Sequence, residues 1–199
     1  MNIKTFLYTL SISIIFLLSA CANKVSYEDA GEIETVTTDF GSTDLQQTSV
    51  ALVDSLLTFG PLVKVFENRR PVLFIDTVQN KTSEHIDTES ITDTISTKLI
   101  NTGKFRFVDM TKVNAVKQQY DYQKNSGLVA EDASVNVGRQ IGAEYMLYGN
   151  ISSIIKRDDS TKDAYYKVTL KLMDIESGII EWQGEKEIRK QTNKTLLGL

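Results

Sequence analysis

The chain has 199 residues, 41% hydrophobic and 24% charged, a globular composition long enough for one domain with an appendage. Its 22 basic and 26 acidic side chains leave a net charge of −4, which excludes a surface built to attract nucleic acid. The 1 cysteine excludes an intramolecular disulfide, the 1 histidine excludes a multi-histidine metal site, and 2 prolines exclude a Pro-rich chain.

Residues 1–20 read as an address. Lys4 is the only charge, and Phe6–Leu18 follows without another. That apolar run is too short to span a bilayer, which takes roughly 20 residues, but it fits the core of a signal peptide. It ends in Leu18-Ser19-Ala20-Cys21. This tetrapeptide resembles the bacterial lipobox. The resemblance implies cleavage before Cys21, a diacylglyceryl thioether on its sulfur and an acyl chain on its amine. Two or three chains hold a protein far more firmly than one. Ala22, not Asp, follows the cysteine. By resemblance to the enteric sorting rule, this directs the chain to the periplasmic face of the outer membrane.

The next segment, 22–48, sets Lys24 against Glu28, Asp29, Glu32, Glu34, Asp39 and Asp44. Large apolar residues are sparse and lack a period, so 21–48 reads as the lipidated cysteine and an acidic, disordered tether. Residues 49–199 form the folded domain, with 20 charges of each sign.

In chain order, apolar spacing predicts a helix over 46–59, stopped at Phe59-Gly60-Pro61. Pro71–Val78 is a short apolar run suited to a buried strand, and Asn80–Ile86 is a polar loop. Asp87 or Thr88 caps a helix whose Ile91, Ile95 and Leu99 share one face, ending at Gly103. Phe105–Val108 is a second strand. Thr111–Asn125 is a helix with Val113, Val116 and Tyr120 inward, and Ala133–Ile141 a further helix. Three strands follow, Tyr145–Ile155, one around Tyr166–Leu172 and one around Ile180–Glu185, joined by loops at Lys156–Asp163 and Glu176-Ser177-Gly178. The order α-β-α-β-α-α-β-β-β predicts an α/β (α+β) fold, a mixed sheet flanked by helices.

Catalytic signatures are missing. The sequence holds no GxxxxGK[ST] loop, HExxH helix or GxSxG elbow, and Gly138 with Gly142 lacks dinucleotide-binding spacing. His85 lies in a polar loop with no positioned partner. Asp158, Asp159 and Asp163 lack the EF-hand pattern and read as a solvated hairpin tip. One of Tyr165 and Tyr166 must face the core by alternation, and Trp182 reads as core. The sequence therefore gives no catalytic residue, no metal site, no cofactor beyond the acyl groups on Cys21, and no enzyme.

Several stretches resemble the LpoB family, outer-membrane lipoproteins that activate penicillin-binding proteins. They are Pro71–Val78 followed by Asn80-Lys81-Thr82, Leu99–Phe105, Lys117-Gln118-Gln119, Arg139–Gly149, and Ser177-Gly178 through Trp182. Together they span roughly residues 68–190. The resemblance implies a fold like the TolB N-terminal domain. It implies a monomer whose partner is a class A bifunctional penicillin-binding protein, with no nucleic acid involved and no chemistry of its own. Lys117, Gln118, Tyr122 and Arg139, near the matched stretches, are the candidates for partner binding. Unlike the long Pro-rich tether of enteric members, the tether here is short and free of proline. A CsgG-like secretion lipoprotein is the alternative. Against it, the outward positions of the last two strands hold Lys167, Lys171, Glu181, Glu185 and Glu187, where a lipid-facing strand needs an apolar side.

Overall fold

The computed structural model describes residues 25–34, 36–135, 141–158 and 161–193. The signal segment, Cys21, Gly138, Arg139 and Asp159 lie outside the described residues. The chain divides between Glu32 and Ile33 into two units. In the described part of the first, Asp29 closes a turn. Its carboxylate accepts the Gly31 N–H at 2.8 Å and its carbonyl the Glu32 N–H at 3.1 Å.

The second unit is a mixed sheet with helices packed on it. Helix α1 spans Ser42–Leu57 and α2 spans Gly60–Asn68. Strand β1 is Val72–Ile75, β2 is Gln79–Asn80, α3 is Thr88–Thr102 and β3 is Arg106–Val108. A 3-10 turn at Met110–Lys112 leads into α4, Val113–Asn125, and another covers Glu131–Ala133. Strands β4, Tyr145–Arg157, β5, Thr161–Asp174, and β6, Ile180–Asn193, complete it. The strand order is β3-β1-β4-β5-β6, with β2 added beside β4. β1 runs parallel to β3 and β4, while β4, β5 and β6 form an antiparallel meander. The two kinds of pairing follow from the connections. Parallel strands need long crossovers, which α3 and the α4 region supply, and antiparallel ones need only tight turns.

Alternation decides which face is covered. Ala164, Tyr166, Val168, Leu170 and Leu172 of β5 are buried together with Leu147 and Ile151 of β4 and Trp182 of β6. They meet Leu52, Val53 and Leu56 of α1 and Ile91, Ile95 and Leu99 of α3. The predicted stripe of α3 is therefore its core face. Asp87 caps that helix by accepting the Ser90 N–H at 3.2 Å, and Gly103 ends it with φ 66°. Phe105 is fully buried, with its ring edge-on to Phe66 of α2 at a centroid distance of 4.9 Å.

Four expectations differ from the structure. The helix predicted over 46–59 begins at Ser42, so the domain boundary expected at 48/49 falls inside it. The stop expected at Phe59-Gly60-Pro61 holds, since α1 ends at Leu57, but Pro61 also opens a second helix, α2, where a missing N–H costs no helical hydrogen bond. The helix expected over Ala133–Ile141 is absent from its described ends. After one 3-10 turn Ser134 is extended, Ile141 and Gly142 lie outside any helix, and 136–140 are outside the described residues. The loop expected at Lys156–Asp163 is tighter, since Arg157 pairs with Lys162 and the Asp158 N–H donates to the Thr161 carbonyl at 3.0 Å.

Candidate functional site

The partner-binding candidates in the described residues lie on α4. This helix carries no fully buried residue. Val113, Val116, Tyr120 and Gln123 are half-buried, and the other positions of the helix are exposed. Val113 and Val116 overlook a groove of about 680 Å³ shared with Val72, Arg106, Val108 and Met110. Gln118, Tyr122 and Lys117 are exposed. At about 100° per residue, Gln118 and Tyr122 fall within roughly 40° of one another, while Lys117 is turned about 140° from Tyr122. The helix thus brings two of the candidates onto one outward stripe and sets the third aside. The Gln123 side chain accepts the Val135 N–H at 2.9 Å and ties the following loop back to the helix.

A second polar cluster was not legible in the sequence. Residues 33, 34 and 36–41 form a strap that reaches the start of β5 and the end of β6. Glu34 sits over the start of α1, where its carboxylate accepts the Ser42 hydroxyl at 2.8 Å and the Thr43 N–H at 3.2 Å. A negative charge is favoured at the N-terminus of a helix, and the Ser42 hydrogen bonds hold Glu34 below its usual pKa. Asp39 accepts from Lys162 Nζ at 2.6 Å, and this lysine holds its carboxyl below the ordinary range. Lys190 Nζ donates to the Asp39 carbonyl at 2.8 Å and pairs with the buried carboxylate of Asp44. Thr38 is buried, and its carbonyl lies 3.0 Å from the Tyr166 hydroxyl. That hydroxyl has one proton and two acceptors, Thr38 and the Glu84 carboxylate. Burial first, then Glu84, pushes the Tyr166 pKa well up. The Phe40 ring meets Tyr166 edge-on at 5.6 Å.

This cluster fastens chain to chain. Asp39 and Asp44 are matched by lysines and Glu34 by the start of α1, and the described residues contain no group of three or more His, Cys, Asp or Glu able to hold a metal ion. His85 is exposed. Asp163 is paired with Arg189, and Asp158 accepts the Thr161 N–H at 2.7 Å, so both serve the hairpin. Of the tyrosine pair, Tyr166 is the core residue. Tyr165 faces out and bonds Glu187, which pushes its pKa up to about 12. Trp182 is core.

The other face of the β4–β5–β6 meander carries Lys167, Lys171, Glu185 and Glu187 at its outward positions. Lys167 and Glu185 approach one another at 3.8 Å. Charges across this face do not make the apolar side a lipid-facing strand requires.

Comparison with known proteins adds the family. The family described as "Peptidoglycan-synthase activator LpoB" matches residues 44–188. The penicillin-binding protein activator LpoB of Salmonella typhimurium is 27% identical over 120 residues, 60% of this chain and 53% of the relative. The protein of the same name from Escherichia coli K12 matches to the same extent. The chain thus spans about half the length of the curated relatives it matches. Among solved structures, the LpoB C-terminal domain from Salmonella enterica has 23% identity and a TM-score of 0.45, covering 74% of this chain and 99% of that one. The family match takes in α1 through most of β6, nearly the whole folded unit, and on that span the chain belongs to the LpoB family of peptidoglycan-synthase activators.

Proposed function

We propose that this chain is a lipid-anchored activator of a class A bifunctional penicillin-binding protein. Cys21 carries the acyl groups and holds the chain at the periplasmic face of the outer membrane. The folded unit docks on the synthase as a monomer and raises its glycan polymerisation and peptide crosslinking, performing no catalysis itself. The observation that carries this reading is the family match across residues 44–188. The outward stripe of α4, with Gln118 and Tyr122, is the docking candidate on the described surface, and Lys117 and Arg139 complete the set.

The test is reconstitution. The acylated full chain, in detergent, is added to each class A synthase of its own cell, and polymerisation of a labelled lipid-linked disaccharide precursor is followed. A rate increase with one synthase is expected, and no response from any of them would overturn the proposal. The double substitution Gln118→Ala with Tyr122→Ala removes exposed side chains, so stability should change by less than about 0.5 kcal/mol. Activation should fall several-fold. Full activation by that variant would move the docking surface off α4.

A further inference from the structure

The turn between β5 and β6 carries an unusual load of exposed apolar surface. Ile175, Ile179 and Ile180 are 43%, 58% and 46% exposed. They flank Glu176-Ser177-Gly178 at the tip of the β5–β6 hairpin. Exposed apolar residues scattered singly need no explanation, but here three fall within six residues and share one turn.

The tip is built to be rigid. The Asp174 carboxylate accepts both the N–H and the hydroxyl of Ser177 at 2.8 Å. The Gly178 N–H donates to the Asp174 carbonyl at 2.9 Å. Gly178 takes φ 72°, a conformation that costs other residues energy. The Ile175 N–H donates to the Glu144 carbonyl at 2.9 Å, joining the tip to the start of β4. A knob held in one shape loses little freedom on binding.

Its rim is acidic. Asp174, Glu176 and Glu181 stand around the isoleucines, and Glu144 beside them is paired with Arg69. The same charges act on Tyr145, which lies opposite Asp174. Burial first raises its pKa, Arg69 lowers it, and Asp174, Glu181 and Glu144 raise it. The nearest lysine along β5 is Lys171, opposite Gln183. An apolar knob ringed by carboxylates is repelled by an anionic lipid surface and by a second copy of itself.

Position gives the same answer. The chain from Cys21 enters the folded unit through the strap, which is fastened to Lys162 and Lys190. Those residues lie near the start of β5 and the end of β6, whereas the isoleucines follow Asp174. At about 3.3 Å per residue, β5 separates the two ends by roughly 40 Å.

We propose that the Ile175, Ile179 and Ile180 tip is a docking knob for an apolar groove with a basic rim on the partner protein. The inference rests on the activator reading and names a second point of contact, at the opposite end of the sheet from the tether.

The test uses the acylated full chain in detergent and the purified synthase that it activates. Three variants are compared, all checked for unchanged thermal unfolding. One is Ile175→Ser with Ile179→Ser and Ile180→Ser, one is Ile175→Leu with Ile179→Leu and Ile180→Leu, and one is Glu176→Lys with Glu181→Lys. The serine variant should bind at least about tenfold more weakly. The leucine variant should bind within about threefold of the parent, and the charge-reversed variant should associate more slowly, with a flatter salt dependence. Equal binding by parent and serine variant overturns the knob while leaving the activator reading intact. Failure of the parent to bind any class A synthase overturns that reading and the knob with it. Loss of binding to anionic vesicles, or of self-association, in the serine variant alongside unchanged synthase binding also overturns the knob.

Discussion

Thr48 and Ser49 place hydroxyl groups on the core face of α1, 1% and 0% exposed, and neither oxygen has a hydrogen-bond partner among the described residues. A buried, unsatisfied polar atom costs about 1–3 kcal/mol. Ser49→Ala removes that cost and adds helix propensity. Thr48→Val keeps the shape and drops the hydroxyl. Each is expected to stabilise the domain by about 1 kcal/mol. Urea unfolding followed through Trp182, the only tryptophan, reads this directly. A loss of stability would show that these hydroxyls do have partners. At this scale alternation was a good guide on the strands, placing Trp182 and one of the two tyrosines inside. On α1 the apolar spacing found the helix but not the burial of Thr48 and Ser49, which are polar by type yet lie on its core stripe. The pairing of Lys190 with Asp44 joins residues 146 apart in sequence, and no local pattern encodes it.

Elements divide by how they are held. The meander, α1 and α3 carry the core, whereas the strap before α1 is held by its carboxylates, by buried Thr38 and by the Phe40 ring. Asp39 and Glu34 have pKa values lowered below 3.8 and 4.5 by Lys162 and Ser42 respectively. A carboxyl lowered on folding contributes stability above its ordinary pKa, and that contribution is lost as pH falls through the lowered folded value. The strap is therefore expected to loosen as pH drops below about 4, ahead of the sheet. Hydrogen exchange measured across that range should quicken at residues 36–41 while Leu170 to Leu172 stay protected. Simultaneous loss of both would show a strap no weaker than the core. The early start of α1 is legible in hindsight. Asp44 accepts the N–H of Gly41 at 2.9 Å, a cap three residues into the helix, and its polar neighbours conceal the signal. α4 shows the converse. Its period was read correctly, yet it carries no buried residue, because Val113 and Val116 face an open groove rather than a closed core.

The folded unit as a whole begins near Ile33 rather than at residue 49. A chain starting at Ile33 should unfold cooperatively. One starting at residue 49 loses the first two turns of α1, the Asp44 partner of Lys190 and the cover over Tyr166. It is expected to be less stable by several kcal/mol, since removing one member of a buried pair alone costs about 3–5 kcal/mol. Comparing the two by thermal unfolding decides where the domain starts. The mixed sheet flanked by helices was readable from element order, since helices between early strands and tight turns between late ones leave few topologies. The strap was not, because its residues look like solvated tether until the lysines of β5 and β6 are brought to them.

The strap also sets how the molecule bears load. With it fastened, about a dozen residues separate Cys21 from the folded unit, a full stretch of about 40 Å. If Cys21 anchors the chain as proposed, tension along it meets Glu34 first and then Asp39 with Lys162 and Lys190, contacts that follow one another along the chain. Each residue released adds roughly another 3.5 Å, so for a chain anchored at Cys21 the strap residues 33, 34 and 36–41 would form a slack reserve that lengthens its reach.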